Sequence, residues 1–469
     1  MASSVRSADG AGIPVSHVLR KELGLPDLVL AQILCVVGSA WVGVAAALGR
    51  AHLVFWLAAI LLFYLPLAAV VIYLNRQMPL EGGLYQWAKA GFGEFLGFLT
   101  AWNLWVYALV CVPSVLFVIP TDLAYIIGPG MEWLPASRIA TISIIGVVIA
   151  AIAALAIRGL AAGKWLHNIG SLMLLSAYAI LLLLPLWFFV RRQPLDYQPF
   201  PFQMPKFNWL SLAIFGQMTV GGLSGFEYVA IMAGECRSAA SNIGRSVLLS
   251  APVIAVMFIL GTSSVLAFLG NRPINFIGPI PQTFRLALGT TGSGALLAAL
   301  AIFLVLGRNI ASASLIFTGL TRLPMTAGWD HLLPAWFTAL HPRWRTPRNS
   351  ILFVAALTVV FIVLGMLGVR EQEAMQLLQN ASITHYGIAY VALFALPLFG
   401  AAQLRRSLPT WVIAASAAGL LSSLIAVFIA VHPIIRVSNH LSYAAKIACT
   451  VLLSNLLGIA LYQTRPRAN

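Results

Sequence analysis

Two charged residues of this 469-residue chain stand where ordinary packing gives charge no use. Glu227 follows Gly221, Gly222 and Gly225 within the apolar stretch WLSLAIFGQMTVGGLSGFEYVAIMAGE. Arg308 lies in the middle of AIFLVLGRNIASASLIF, with Ser312 one helical turn away on the same face. Glycine costs about 1 kcal/mol against alanine in a helix interior, so three glycines within five residues predict a broken helix. An acid beside such a break marks an ion or proton path, and Glu227 is a candidate proton carrier. The alternative is a structural carboxylate that hydrogen-bonds the broken helix. Burying an arginine costs from about 3 to more than 10 kcal/mol, so Arg308 must face protein or water.

A second break is expected at Gly38, Ser39 and Ala40 in LVLAQILCVVGSAWVGVAAALG. A half-helix beginning there points free N–H groups and its positive end at a carboxylate. Carbonyls freed at Ser224, Gly225 and Phe226 would accept from an ammonium, with Phe226 as a lid. Two facing breaks therefore suit the backbone of an α-amino acid. Simple packing of small residues is the competing reading.

The elements that must hold these residues follow from composition. The chain is 60% hydrophobic and 9% charged, against about 25% charged in soluble domains. About 20 apolar residues cross a bilayer. Twelve spans are expected, at 25–48, 53–75, 94–119, 138–157, 165–190, 209–234, 246–269, 292–320, 350–368, 374–399, 409–431 and 441–463. The fold class is thus all-α and integral to the membrane. The net charge of +15 is spread over short loops, which speaks against a nucleic-acid patch. With the N-terminus inside, 17 of the 28 Lys and Arg fall on the cytoplasmic side and 9 outside, so both termini are expected in the cytoplasm. The polar start has no apolar core of a signal peptide, so the first span is expected to direct insertion.

Cys35, Cys111, Cys236 and Cys449 lack metal-ligand or disulfide spacing. No phosphate loop, HExxH or GxSxG motif occurs. Neither an enzyme, a cofactor nor a bound metal is therefore expected.

Three motifs carry a resemblance to a known family. They are Gly38-Ser39-Ala40, PLEGGLYQWAKAGFGEFLGFLTAW from Pro79 to Trp102, and GFEYVAIMAGECRSAASNIGRSV followed later by TRLPMTAGWDHLLP. From about Gly24 to the end of the tenth span the chain resembles the amino acid–polyamine–organocation (APC) transporters. The resemblance implies five-plus-five inverted repeats with the LeuT-like core, here 25–190 and 209–399. Residues 1–24 and 464–469 would be cytoplasmic tails, and 409–463 two added spans. Ala40 replaces a usual glycine, Asn242-Ile-Gly-Arg245 lacks the family's proline, and no lysine occupies the uncharged 172–184 of the fifth span.

The function implied is a secondary transporter of the plasma membrane, of bacterial inner-membrane type, moving an amino acid by alternating access. Proton-coupled symport is the first expectation, and its partners are an amino acid, protons and lipid. Amino-acid or polyamine exchange is the nearest rival, and a non-transporting amino-acid sensor the rival from another class. For coupling or gating the candidates are Glu227, Arg308 and Ser312. Arg308 could pair with Glu227, replace the sodium that related folds hold between spans one and eight, or contact an anionic group of the cargo. A fixed structural or coupling cation is preferred over cargo contact. Glu235, Arg245 and Arg322 are expected to form an inner gate or a loop clasp. Trp102, Asn103, Tyr107, Gln32 and Ser314 are weaker candidates for the pathway. Lys446 is expected to snorkel and His385 to pack.

Overall fold

The computed structural model describes residues 23–78, 83–193, 195, 203, 205–227, 236, 239–270, 272–326, 333, 335–401 and 408–464. Among them helices dominate, and the single extended pairing is the bridge between Leu23 and Cys236. Ten helices are long and apolar enough to cross a membrane. An eleventh span is the bent pair Leu25–Val36 and Ser39–Ala46, whose axes meet at 43°. The sixth span is described as Trp209–Gly216 and a π-helical turn, Gln217–Gly222. Helix resumes at Phe226 and Glu227, and 228–235 lie outside the described residues.

The glycines sit where the backbone leaves the helix. Gly225 takes φ +121°, a region that side-chain-bearing residues rarely adopt. Gly38 has ordinary angles, but a Cβ there would lie 2.6 Å from the Trp41 ring. Its smallness serves a close approach. The long helices also contain Pro113, Pro185, Pro252, Pro324 and Pro397. Membrane helices tolerate proline because neighbouring groups satisfy the freed carbonyls.

The third span departs most from expectation. It was expected to end at 119, yet the apolar helical stretch continues from Glu94 to Ile127. After a turn at Phe117 and Val118 the helix restarts at Ile119. Pro120 stands in the first turn of that restart, where its missing N–H does no harm. This extension carries Asp122 into the protein interior.

Burial ranks the spans. In the most apolar window of Glu94–Ile127, 83% of residues are buried, against 11% in His440–Gln463. The third span is therefore a central post and the twelfth lies at the rim. The tenth, Glu371–Phe399, packs against the third and against Thr410–Ile429, while the fifth, Leu160–Val190, packs along the eighth, Gly292–Thr326. Leu61, Val190, Phe428 and Leu453 are exposed on the outer faces. Large apolar side chains exposed on membrane-spanning helices suit contact with lipid.

Candidate functional site

A small, partly open cavity of about 60 Å³ lies between spans one, three, six, eight and ten. Span one contributes Cys35, Gly38, Ser39, Ala40 and Trp41, and span three Tyr107, Cys111 and Ser114. Span six contributes Val220 and Gly221, span eight Arg308, Asn309 and Ser312, and span ten Gln379 and Ser382. Gly38, Ser39, Ala40, Arg308 and Ser312, all singled out from the sequence, thus converge on one space.

The two breaks meet across a tryptophan. A Cβ on Gly221 would lie 2.7 Å from Trp41 Cη2, just as one on Gly38 would meet the opposite edge of the ring. The indole is therefore wedged between the two glycines. Trp41 was not a candidate from sequence, and an aromatic directly after Gly38-Ser39-Ala40 was the signal available. The π turn of span six is tied to span ten by Gln217, whose Nε2 donates to Asn380 Oδ1 (2.9 Å) and Gln376 Oε1 (3.2 Å).

Span six enters the cavity at Val220 and Gly221, not at Ser224, Gly225 and Phe226. Phe226 is fully buried and stacks on Tyr64, centroids 4.8 Å apart, so it does not cover the cavity in this conformation. The positive φ of Gly225 turns the chain away, and its N–H donates to the Tyr390 hydroxyl at 3.0 Å.

Glu227 is fully buried and accepts hydrogen bonds from the hydroxyls of Tyr386 and Tyr390, the latter at 2.8 Å. The Tyr386 ring stacks on Tyr107, with centroids 3.6 Å apart and planes at 19°. Tyr107 lines the cavity, so two stacked rings separate the cavity from the carboxylate. Tyr386 and Tyr390 were not candidates. Their spacing of four residues, which places them on one helix face, was legible.

Arg308 and Glu227 do not pair. The ion pairs among the described residues are Lys164–Asp27 (2.8 Å) and Lys89–Glu94 (3.3 Å). Arg308 is turned toward the third span instead. Its Nη1 donates to Asn309 Oδ1 (2.5 Å), and Asn309 Nδ2 donates to Asp122 Oδ2 (2.7 Å). Asp122 is fully buried and electrostatically attracts Arg308 through this bridge. The sequence reading placed Asp122 beyond the third span, so this partner was missed. A lone arginine in a span demands a nearby acid, and that demand was the usable signal.

Thr121 lines a second hollow of about 380 Å³ together with Tyr125, Glu132, Asn275, Arg285 and Glu371. Arg285 braces it, donating to the carbonyls of Tyr125 (Nε, 2.7 Å), Ile126 (2.9 Å) and Ala295 (3.2 Å). Burial draws its pKa downward from the usual arginine value.

The remaining candidates separate clearly. Trp102 donates to the Ser454 carbonyl (2.8 Å), and Asn103 exchanges hydrogen bonds with Asn455 (2.7 and 3.2 Å), so both pack the twelfth span. Gln32 accepts from Ser250 (2.6 Å), and Ser314 meets His167 (3.3 Å). His385 meets the Ala381 carbonyl (2.8 Å) and the Ser454 hydroxyl (2.7 Å), as a packing residue does. Lys446 is exposed. Arg245 is exposed and Arg322 partly buried, while Glu235 lies outside the described residues. The ion pair found at the end of span one is Asp27 with Lys164, supported by Asn168 Nδ2 donating to Asp27 (3.0 Å).

A multi-span helical bundle with a hollow between two interrupted helices is the arrangement of a membrane transporter. Residues 23–453 match the family model described as amino acid permease, and the chain belongs to that family, within the APC superfamily its motifs resemble. Family and relatives are transporters, not enzymes. An uncharacterised transporter of Legionella pneumophila is 24% identical over 83% of this chain and 82% of its own. A branched-chain amino acid permease of Bacillus subtilis is 23% identical over 81% of each chain. A probable agmatine/putrescine antiporter of Lactococcus lactis is 22% identical over 77% of this chain and 76% of its own.

Proposed function

We propose that this permease imports an amino acid across the plasma membrane together with a proton, by alternating access around the cavity at Trp41. In this reading 25–190 and 209–399 form two inverted repeats and both termini are cytoplasmic. Gly38, Ser39 and Ala40 hold the cargo carboxylate at the start of a half-helix. The carbonyls near Ser224, Gly225 and Phe226 serve the ammonium once span six rearranges. Ser312 shapes the wall beside Arg308.

The observation that carries proton coupling is the setting of Glu227. It sits at the break of span six, buried, outside any ion pair among the described residues, and held by tyrosine hydroxyls of span ten. A carboxylate with no cation beside it is neutralised by a proton. Gain and loss of that proton would then bias how span six docks on span ten. At the cytoplasmic end, Asp27–Lys164 holds spans one and five together and serves as the inner clasp, a role for which Glu235, Arg245 and Arg322 are also candidates.

Exchange is the second reading, favoured by the relative named as an antiporter. Uptake of labelled amino acids into proteoliposomes, with and without an inward pH gradient, separates the two. Symport predicts gradient-driven accumulation in vesicles that contain no amino acid. Uptake that ignores the gradient and requires internal amino acid would establish exchange instead.

A further inference from the structure

Arg308 is 4% exposed, and it is the one formally charged side chain among the described residues that line the cavity. Nη1 is engaged by Asn309, but Nε has no hydrogen-bond partner. A buried donor left unpaired is unfavourable. A guanidinium presents its donors as a fixed fork that fits a carboxylate side-on. Asp122 balances the charge from behind Asn309 without lining the cavity, and its own Oδ1 is unpartnered. The receptor is thus charged toward the cavity and neutral as a unit.

We propose that Arg308 joins the N–H groups at Gly38, Ser39 and Ala40, which line the same cavity, in receiving the carboxylate of the cargo, and that the cargo is a small amino acid with one carboxylate and one ammonium. This rests on the permease reading and narrows it. Charge decides the class. Among the described residues the wall carries one cation, Arg308, and so answers one carboxylate. A dicarboxylic amino acid would bring a second negative charge with no second cation on the wall. A polyamine would bring positive charges against Arg308 with no acid on the wall. Size decides the side chain. A water needs about 10–15 Å³ by this measure, so 60 Å³ gives room for about four to six water-sized atoms, which matches the heavy atoms of the smallest amino acids. Trp41, Val220 and Ile383 close the remaining space.

The test is binding, without any gradient, to the full-length protein in lipid nanodiscs. Tryptophan fluorescence, to which Trp41 contributes from the cavity wall, is titrated with L-alanine, L-glutamate, propionate, isopropylamine and putrescine. L-Alanine and propionate are expected to bind and the others to bind much more weakly. Arg308→Gln alone would strand Asp122, so it is combined with Asp122→Asn. That pair of substitutions should weaken propionate by about tenfold or more. If the paired variant does not fold, Arg308→Lys, which keeps the charge but loses the fork, should show the same loss of propionate. Silence of L-alanine or propionate, preference for L-glutamate or putrescine, or a folded variant that keeps propionate within about twofold would overturn the proposal. Because no proton gradient enters, a failure of symport in proteoliposomes is a separate result.

Discussion

Asp122 and Glu227 are both carboxylates with no exposed surface, yet they live by different rules. Asp122 is answered by a permanent cation, Arg308, through Asn309. Glu227 is answered by two tyrosine hydroxyls and lies at the edge of a broken helix. A charge with a fixed partner is part of the scaffold, because removing either member leaves the other buried and alone. A carboxylate held only by neutral donors can change its proton count without stranding a partner. The contrast assigns Asp122 to structure and to the polarity of the cavity, and Glu227 to the moving part of the cycle.

The comparison is most exposed to failure at Asp122. Asp122→Ala should lower stability by about 1–3 kcal/mol or more, because it leaves Asn309 Nδ2 unpaired and Arg308 without its nearby acid, read as thermal unfolding in detergent. Addition of Arg308→Met should recover much of it. A stable Asp122→Ala protein would mean that Arg308 has another anchor. Next comes the bridge. Asn309→Ala should cost about 1–3 kcal/mol through unpaired groups on both sides, and a change near zero would make the bridge incidental.

On the other side of the comparison, Tyr390→Phe removes one donor to Glu227 and the acceptor of the Gly225 N–H. A loss of about 1 kcal/mol is expected, with proton-driven uptake impaired more than exchange. Equal impairment of both would place Tyr390 in packing alone. The smallest effect belongs to Asp27→Asn. The Asp27 and Lys164 side chains are 15% and 29% exposed, so about 0.2–1 kcal/mol is expected. A larger loss would make the clasp part of the folded core.

Much of this was legible in the chain. Apolar runs set the spans, and the glycines at 38, 221, 222 and 225 marked both breaks because their backbone or contact demands are local. The partners of the scarce charges were harder to read. Asp122 follows Pro120 and Phe117-Val118, so it resembled a loop residue, and only three-dimensional packing returns that segment to the bundle. Tyr386, Tyr390 and Trp41 are common membrane-helix residues whose meaning depends on what faces them. Phe226 illustrates the converse. Its position beside the break suggested a lid, but the turn at Gly225 directs it onto Tyr64.

The central claim is that Glu227 couples a proton to movement, and Glu227→Gln tests it most directly. The amide fills nearly the same volume, but its one oxygen accepts from one tyrosine hydroxyl while its NH2 must donate to the other, so folding should change by about 1 kcal/mol. In proteoliposomes the variant should lose accumulation driven by an inward pH gradient while retaining exchange of internal for external amino acid. Accumulation equal to that of the unaltered protein would contradict the account and leave Glu227 a structural brace for the broken helix.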